Sequence, residues 1–238
     1  MRSVLIALWC AVIFCGAARA QAPVTMVFDV AHGQNPQIAE GYNQLFGEDP
    51  GISFIVNEAP IRPELLSGKK ALVLFSPVKE FGAEEIEAVV QYLKSGGSLL
   101  LIFDEERRTP LELTRVNELI RPFKMELTGN TPVPHNCGAV AEKGEACSGT
   151  RELPYSGGRS VKGGKVISRV YADGDYVHSA YTETGRGGKI VVMSDGMAGL
   201  LLGRPDGVRY SGTGPSDSLY WGKDSKVFMQ EIFAFLAK

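Results

Sequence analysis

Between residues 24 and 127 short apolar runs alternate with amphipathic stretches, and that alternation constrains the fold more than any other feature of the chain. Val24-Thr25-Met26-Val27-Phe28 reads as a buried strand, and residues 36–46 as the helix after it, with Ile38, Tyr42, Leu45 and Phe46 on one face. Residues 52–56 make a second strand. Ala71-Leu72-Val73-Leu74-Phe75 is a third, apolar at every position, as a strand covered on both sides must be. In the helix that follows, Gly82 opens the element, Glu84, Glu85 and Glu87 complement the N-terminal dipole, and Gly96-Gly97 close it. Ile86, Val89, Val90 and Leu93 are its buried stripe. Residues 99–103 predict a fourth strand, 111–120 a helix stopped by Pro122, and 124–127 a short fifth strand. The rhythm implies an α/β fold with a mostly parallel, doubly wound sheet.

Residues 128–188 interrupt it as an irregular excursion, with 165–170 and 176–182 pairing as a hairpin around Asp173-Gly174. Residues 189–193 return as a last core strand. Residues 224–236 form an amphipathic helix capped by Asp224 and burying Val227, Phe228, Ile232 and Phe235. With no repeat and no long linker, residues 21–238 are expected to be one domain.

Residues 1–20 carry the marks of a removable export signal. Arg2 supplies the positive start, residues 4–14 the apolar stretch, and Ala18-Arg19-Ala20 the cleavage site. The apolar part is about a dozen residues, short of the roughly twenty that cross a bilayer. Val12-Ile13-Phe14 lacks the small residues that would mark Cys15 for lipidation. The mature chain is therefore expected in the periplasm or outside the cell. Cys10 and Cys15 leave with the leader, and Cys137 and Cys147 remain, ten residues apart, so a disulfide between them is the expectation for an exported chain. A zinc site with His135 competes, but four soft ligands at ordinary spacing are absent. The formal charge is −2, about −4 without Arg2 and Arg19, and no basic block or second membrane-length segment occurs. Nucleic-acid and membrane-spanning roles are disfavoured.

Ligands of open α/β sheets bind beyond the carboxyl ends of the strands. That rule selects Asp29, His32, Gly33, Gln34 and Asn35 after the first strand, Ser76 after the third, Asp104 and Glu105 with Glu106 after the fourth, and Ser194 and Asp195 after the last. Asp29, His32, Gln34 and Asp104 are expected to converge on one concave site. The competing reading is loop chemistry: a turn at Gly33, hydrogen bonds from Asp29 to nearby backbone, and an acidic run at Asp104-Glu105-Glu106 cancelled by Arg107 and Arg108. Gly185-Arg186-Gly187-Gly188 precedes a strand and offers no helix N-terminus to a phosphate, and no dinucleotide fingerprint occurs. Neither Ser76 nor Ser194 lies in a Gly-x-Ser-x-Gly elbow. A carboxylate or metal site from Asp29, Asp104 and His32 stays open as a hydrolase alternative.

Residues 71–77, 81–93 and 95–103, the Asp29-Val30-Ala31-His32-Gly33-Gln34 stretch, and the strand ending in Ser194-Asp195 together resemble the GIFT domain, a module related to class I glutamine amidotransferases and found in an intraflagellar transport protein. The resemblance implies a flavodoxin-like three-layer fold without amidotransferase chemistry, because the family's elbow cysteine would follow Phe103, where Asp104-Glu105-Glu106 stand. It also implies carbohydrate as a ligand class. The leading expectation is thus a noncatalytic module that binds a small polar ligand, with no cofactor or resident metal. Tyr42, Tyr220 and Trp221 are candidate stacking faces for a sugar. The alternatives are the carboxylate- or metal-dependent hydrolase and a protein-interaction or scaffold domain.

Overall fold

The computed structural model describes residues 23–48, 51–133, 137–202, 208–209 and 220–238. Residues 1–20, on which the expected export signal falls, His135 and the side chain of Tyr220 lie outside the described residues. The first half alternates as its periodicity predicts: β1 (Val24–Asp29), α1 (Pro36–Phe46), β2 (Ile52–Asn57), α2 (Pro63–Leu66), β3 (Ala71–Phe75), α3 (Ala83–Lys94) and β4 (Ser98–Ile102). The predicted helix over 111–120 is broken into α4 (Leu111–Thr114) and α5 (Val116–Ile120) by Arg115, which sits in the left-handed region at φ 61°. Its guanidinium holds that kink by pairing with Glu118 at 2.7 Å and reaching the Phe81 carbonyl at 3.3 Å.

Beyond α5 the chain departs from the expected pattern. β5 (Glu126–Asn130), β6 (Cys137–Ala141), β7 (Arg151–Tyr155), β8 (Arg159–Lys162), β9 (Lys165–Val170) and β10 (Val177–Glu183) follow one another without an intervening helix. β11 (Lys189–Met193), α6 (Met197–Leu200), β12 (Val208–Arg209), β13 (Tyr220–Trp221) and α7 (Ser225–Ala237) complete the chain. The main sheet has nine strands in the order β2-β1-β3-β4-β11-β10-β9-β6-β7. β2, β1, β3, β4 and β11 are mutually parallel, and every pairing from β11 onward to β7 is antiparallel.

The expected flavodoxin-like, mostly parallel sandwich is therefore wrong: this is a strand-rich mixed sheet, with further antiparallel pairs β5-β8 and β12-β13 beside it. The cause is connection length. A parallel pairing needs a crossover of a dozen or more residues, whereas the short turns between residues 126 and 183 admit only antiparallel neighbours. The supposed irregular excursion instead extends the sheet.

Alternate residues of the parallel strands serve opposite faces. Phe28, Val73, Phe75, Ile102 and Met193 pack beneath α1 and α7, where Phe233 meets the rings of Tyr42, Phe46 and Phe54 at 5.1–5.5 Å. Leu72, Leu74, Leu101 and Val192 pack beneath α3 and α5. Each such side chain, fully buried, contributes about 1.5–3 kcal/mol. Val227 of α7, expected inside, is 44% exposed. Asp224 sits at the start of α7 but spends its side chain on the Glu152 amide of β7, at 2.8 Å, rather than on capping the helix.

On three edge strands, β2, β5 and β7, one residue's outward backbone groups are engaged by other parts of the chain. On β2, one Asn43 carboxamide accepts from Phe54 N at 2.7 Å and donates to Phe54 O at 3.2 Å, occupying the place of a neighbouring strand. Asn117 does the same for Leu127 on β5, at 2.8 and 3.0 Å. On β7, Glu152 N donates to Asp224 and Glu152 O accepts from Gly222 N at 3.2 Å. Unpaired edges invite strand addition from other chains. Asn43→Ala is accordingly expected to cost about 1–3 kcal/mol and to produce concentration-dependent self-association by sedimentation velocity. A monodisperse variant with an unchanged Tm would show that the clip does nothing.

The expected Cys137–Cys147 disulfide is also wrong, for both cysteines are free. Cys137 opens β6 opposite Tyr155, whereas Cys147 follows the strand's far end, beside Arg151, which pairs with Ala141. The intervening strand spans about 13 Å, beyond the separation a disulfide bridges. The Cys147 thiol donates to Gly149 O at 3.0 Å and to Glu231 at 3.2 Å. Burial pushes both thiols up to about 11, which leaves little thiolate near neutral pH. Alkylation after denaturation without reductant should label both residues, and native alkylation should be slow. A recovered peptide pair linked through the two would restore the bridge.

Candidate functional site

Because β1, β3, β4 and β11 are parallel neighbours, their carboxyl ends present Asp29, Ser76, Asp104 and Asp195 along one edge. Hydrogen bonds gather the polar residues of this edge into two groups.

The first surrounds His32. Its Nδ1 lies 2.7 Å from Asp29 Oδ2, and its Nε2 lies 3.3 Å from Glu85 Oε1, with the ring stacked on Phe81 at 3.8 Å. The other Asp29 oxygen accepts from Asn57 Nδ2 at 2.7 Å. Glu85 also accepts from Ile61 N and Gly82 N, at 2.8 and 2.9 Å, so one carboxylate ties the chain before α2 to the start of α3. Burial opposes a charge on His32, but the hydrogen bond and charge of Asp29, with Glu85 behind it, outweigh that and raise its pKa above the ordinary value. Both ring nitrogens thus face carboxylates, and in its protonated form the ring donates from both and has no lone pair for accepting a further proton.

The second group surrounds two buried carboxyls. Asp104 accepts from Ser76 Oγ at 2.9 Å and from Gly196 N at 2.6 Å. Asp195 accepts from Met197 N at 2.8 Å and from the Ser156 hydroxyl and amide at 3.1 and 3.3 Å. Burial, and then the charge of Asp104, push the Asp195 carboxyl up to about 7. Ser76 holds a left-handed φ of 50°, uncommon for a residue with a side chain. Its hydroxyl points to a carboxylate, not an imidazole.

The remaining candidates are spent elsewhere. Asn35 caps α1, accepting from Gln37 N at 3.0 Å. Gly33 turns at φ 92°, where a Cβ would stand 2.5 Å from Val78. Glu105 pairs with Arg107 at 3.0 Å and Arg108 at 3.5 Å. Ser194 donates to His178 O at 3.1 Å. Gln34 is buried with neither amide atom paired and belongs to neither group. Tyr42 and Trp221 are 2% and 1% exposed, so neither offers a stacking face. Among the described residues no cluster of three or more His, Cys, Asp or Glu is arranged to hold a metal.

Sequence reasoning missed the partners that complete these groups: Asn57, Glu85, Phe81 and Ser156. It also missed Arg159, fully buried, which donates to Asp104 O at 2.9 Å and to Glu106. Nothing in their local sequence sets them apart. Away from this edge, a cavity of about 710 Å³ opens between residues 63–70 and α3, sharing no residue with either group.

Residues 25–133 match the family profile described as the IFT52 GIFT domain. No curated protein matches the chain in sequence. Among solved structures, the mmIFT52 N-terminal domain superposes with a TM-score of 0.58 at 17% identity, covering 73% of this chain and 87% of that one. A ThuA-like protein from Bacteroides uniformis aligns at 0.56 and 12% identity, over 93% and 94% of the two chains. The exo-beta-1,4-mannosidase Op5Man5 from an Opitutaceae bacterium aligns at 0.55 and 13% identity, over 91% of this chain but 36% of its own. At these identities the structures show a shared fold alone. The GIFT resemblance has direct support over residues 25–133, and the wider kinship with glutamine amidotransferases does not.

Proposed function

We propose that this chain is an exported, noncatalytic protein-interaction or scaffold module. The observation that carries this reading is the mutual saturation of the two groups on the carboxyl edge: both oxygens of Asp29 and Asp104 and both nitrogens of His32 are engaged within the protein. A ligand site or hydrolase would need some of these groups turned toward the ligand. Here they fasten loops to one another, which leaves the small-polar-ligand reading with Gln34 as its unpaired polar group on this edge. The match to a domain of an intraflagellar transport protein supports the same direction.

The test has two arms. In extract from its source the native protein should sediment as a complex heavier than its own mass, while the purified chain should not. A panel of sugars and divalent metals should leave the melting temperature unchanged, whereas a true ligand at about 100 times its Kd would add about 2.7 kcal/mol. Sedimentation as a lone chain together with a saturable, sugar-dependent rise in Tm would replace this reading with the ligand-binding one.

A further inference from the structure

If the molecule binds proteins, the rims of its sheets are poor places to do so. Asn43, Asn117 and Asp224 already occupy outward backbone groups at Phe54 of β2, Leu127 of β5 and Glu152 of β7. An added strand would have to displace these bonds.

The cavity between residues 63–70 and α3 is different. Its two ends are fixed by hydrogen bonds across it, Ile61 N to Glu85 at one and Tyr92 Oη to Lys69 O, at 3.2 Å, at the other. Leu66 and Ala88, both buried, close its floor, and exposed Pro63 and half-buried Tyr92 give it accessible apolar surface. Glu84 and Glu87 stand toward the start of α3, and Lys69 and Lys70 lie against its close. None of these four charges has an ion-pair partner among the described residues. From Glu84 to Ser95 the helix rises about 16 Å, the length of about five extended residues.

Building on the interaction reading above, we infer that this groove docks a short extended peptide segment of a partner protein. The segment carries a lysine or arginine at the Glu84/Glu87 end, about three apolar residues against Pro63 and Tyr92, and an aspartate or glutamate at the Lys69/Lys70 end. Charge complementarity fixes its direction, because a reversed peptide places like charges together at both ends.

The experiment is selection of a displayed random peptide library on the purified, folded protein, followed by fluorescence anisotropy with the enriched peptides. Enrichment of one basic and one acidic position flanking an apolar centre is expected. Glu87→Lys and Lys69→Glu, both of groove-lining charges, should each weaken binding at least tenfold, and a peptide with its end charge swapped should recover affinity for the matching variant. Circular dichroism melts of both variants exclude unfolding as the cause. Enriched peptides indifferent to both substitutions would overturn the groove while leaving the interaction reading intact. An absence of any enriched peptide would also overturn the groove, and the interaction reading would then stand or fall on sedimentation in extract.

Discussion

Arg159→Ala should unfold the protein more readily by about 3–5 kcal/mol, lowering Tm by roughly 10 °C or more. Arg159 is 0% exposed, and its guanidinium donates to Asp104 O at 2.9 Å, Thr128 O at 3.0 Å, Thr109 O at 3.0 Å and the Glu106 carboxylate, lying over the Phe103 ring at 5.4 Å. It therefore binds β8 to the ends of β4 and β5. The ion pair is the smaller part of this, since the Glu106 side chain is half exposed and solvent screens it. The larger part is the Thr128 and Thr109 carbonyls, which alanine would deprive of this donor beside a cavity, whereas Asp104 O keeps the Thr109 hydroxyl at 2.8 Å. Three variants separate the terms. Glu106→Gln should cost under about 1 kcal/mol. Arg159→Lys should keep most of the loss, because an ammonium cannot reproduce the planar fork. Arg159→Met fills the volume without donors, so urea melts showing it as stable as the native protein would sink the hydrogen-bond argument.

The buried arginine also marks where the sequence stops being informative. The strand Ala71–Phe75 was legible because continuous apolarity has few meanings in a chain of this composition, and α1 and α3 because their apolar residues recur at helical spacing. β6 and β7 carry Gly138 and Pro154, and β8 begins with Arg159 directly after Gly157-Gly158, so each reads locally as loop. They are strands because of what lies beside them, a tertiary effect that no local window contains. The cysteines teach the same point. Their spacing permits a bridge until a strand is laid between them.

The candidate site divides along similar lines. Strand ends identified Asp29, Ser76, Asp104 and Asp195, since topology sets which edge they occupy. What they do there depends on distant partners: Glu85 for His32, Ser156 for Asp195, Gly196 for Asp104. A sequence shows that a carboxylate ends a strand, but whether it faces a ligand or its own chain is decided by residues about 40 to 90 positions away.

Asp195→Asn should make stability relative to the native protein rise with pH between about 4 and 7, by about 4 kcal/mol in all. The native Asp195 carboxyl is held near 7, against an ordinary value of 3.8, by burial and by Asp104. Across that interval the folded protein keeps a proton that the unfolded chain has lost, so stability falls as pH rises. His178 works in the opposite sense. Fully buried, its ring is bonded to Ser168 Oγ at 2.7 Å with no charged partner, and burial lowers its pKa to about 4. From pH 6.5 down to 4 the unfolded chain binds a proton that the fold refuses, so stability falls with falling pH, by about 3 kcal/mol. In their shared window the two slopes cancel, and these groups leave the native protein nearly flat. Above pH 6.5 only losses remain, from the last of the Asp195 titration and from His32, whose raised pKa stabilises the fold until pH climbs through it. Asparagine at 195 removes one of the opposed slopes and exposes the other: the variant should lose stability toward pH 4 as the native protein does not. It should also gain on the native protein at pH 8, less the cost of turning an amide toward Ser156 N. Urea melts of both proteins at pH 4, 5.5, 7 and 8 read this directly. A variant-minus-native difference that stays constant across those pH values would mean that Asp195 is ionised throughout, and that burial does not hold a proton on its carboxyl.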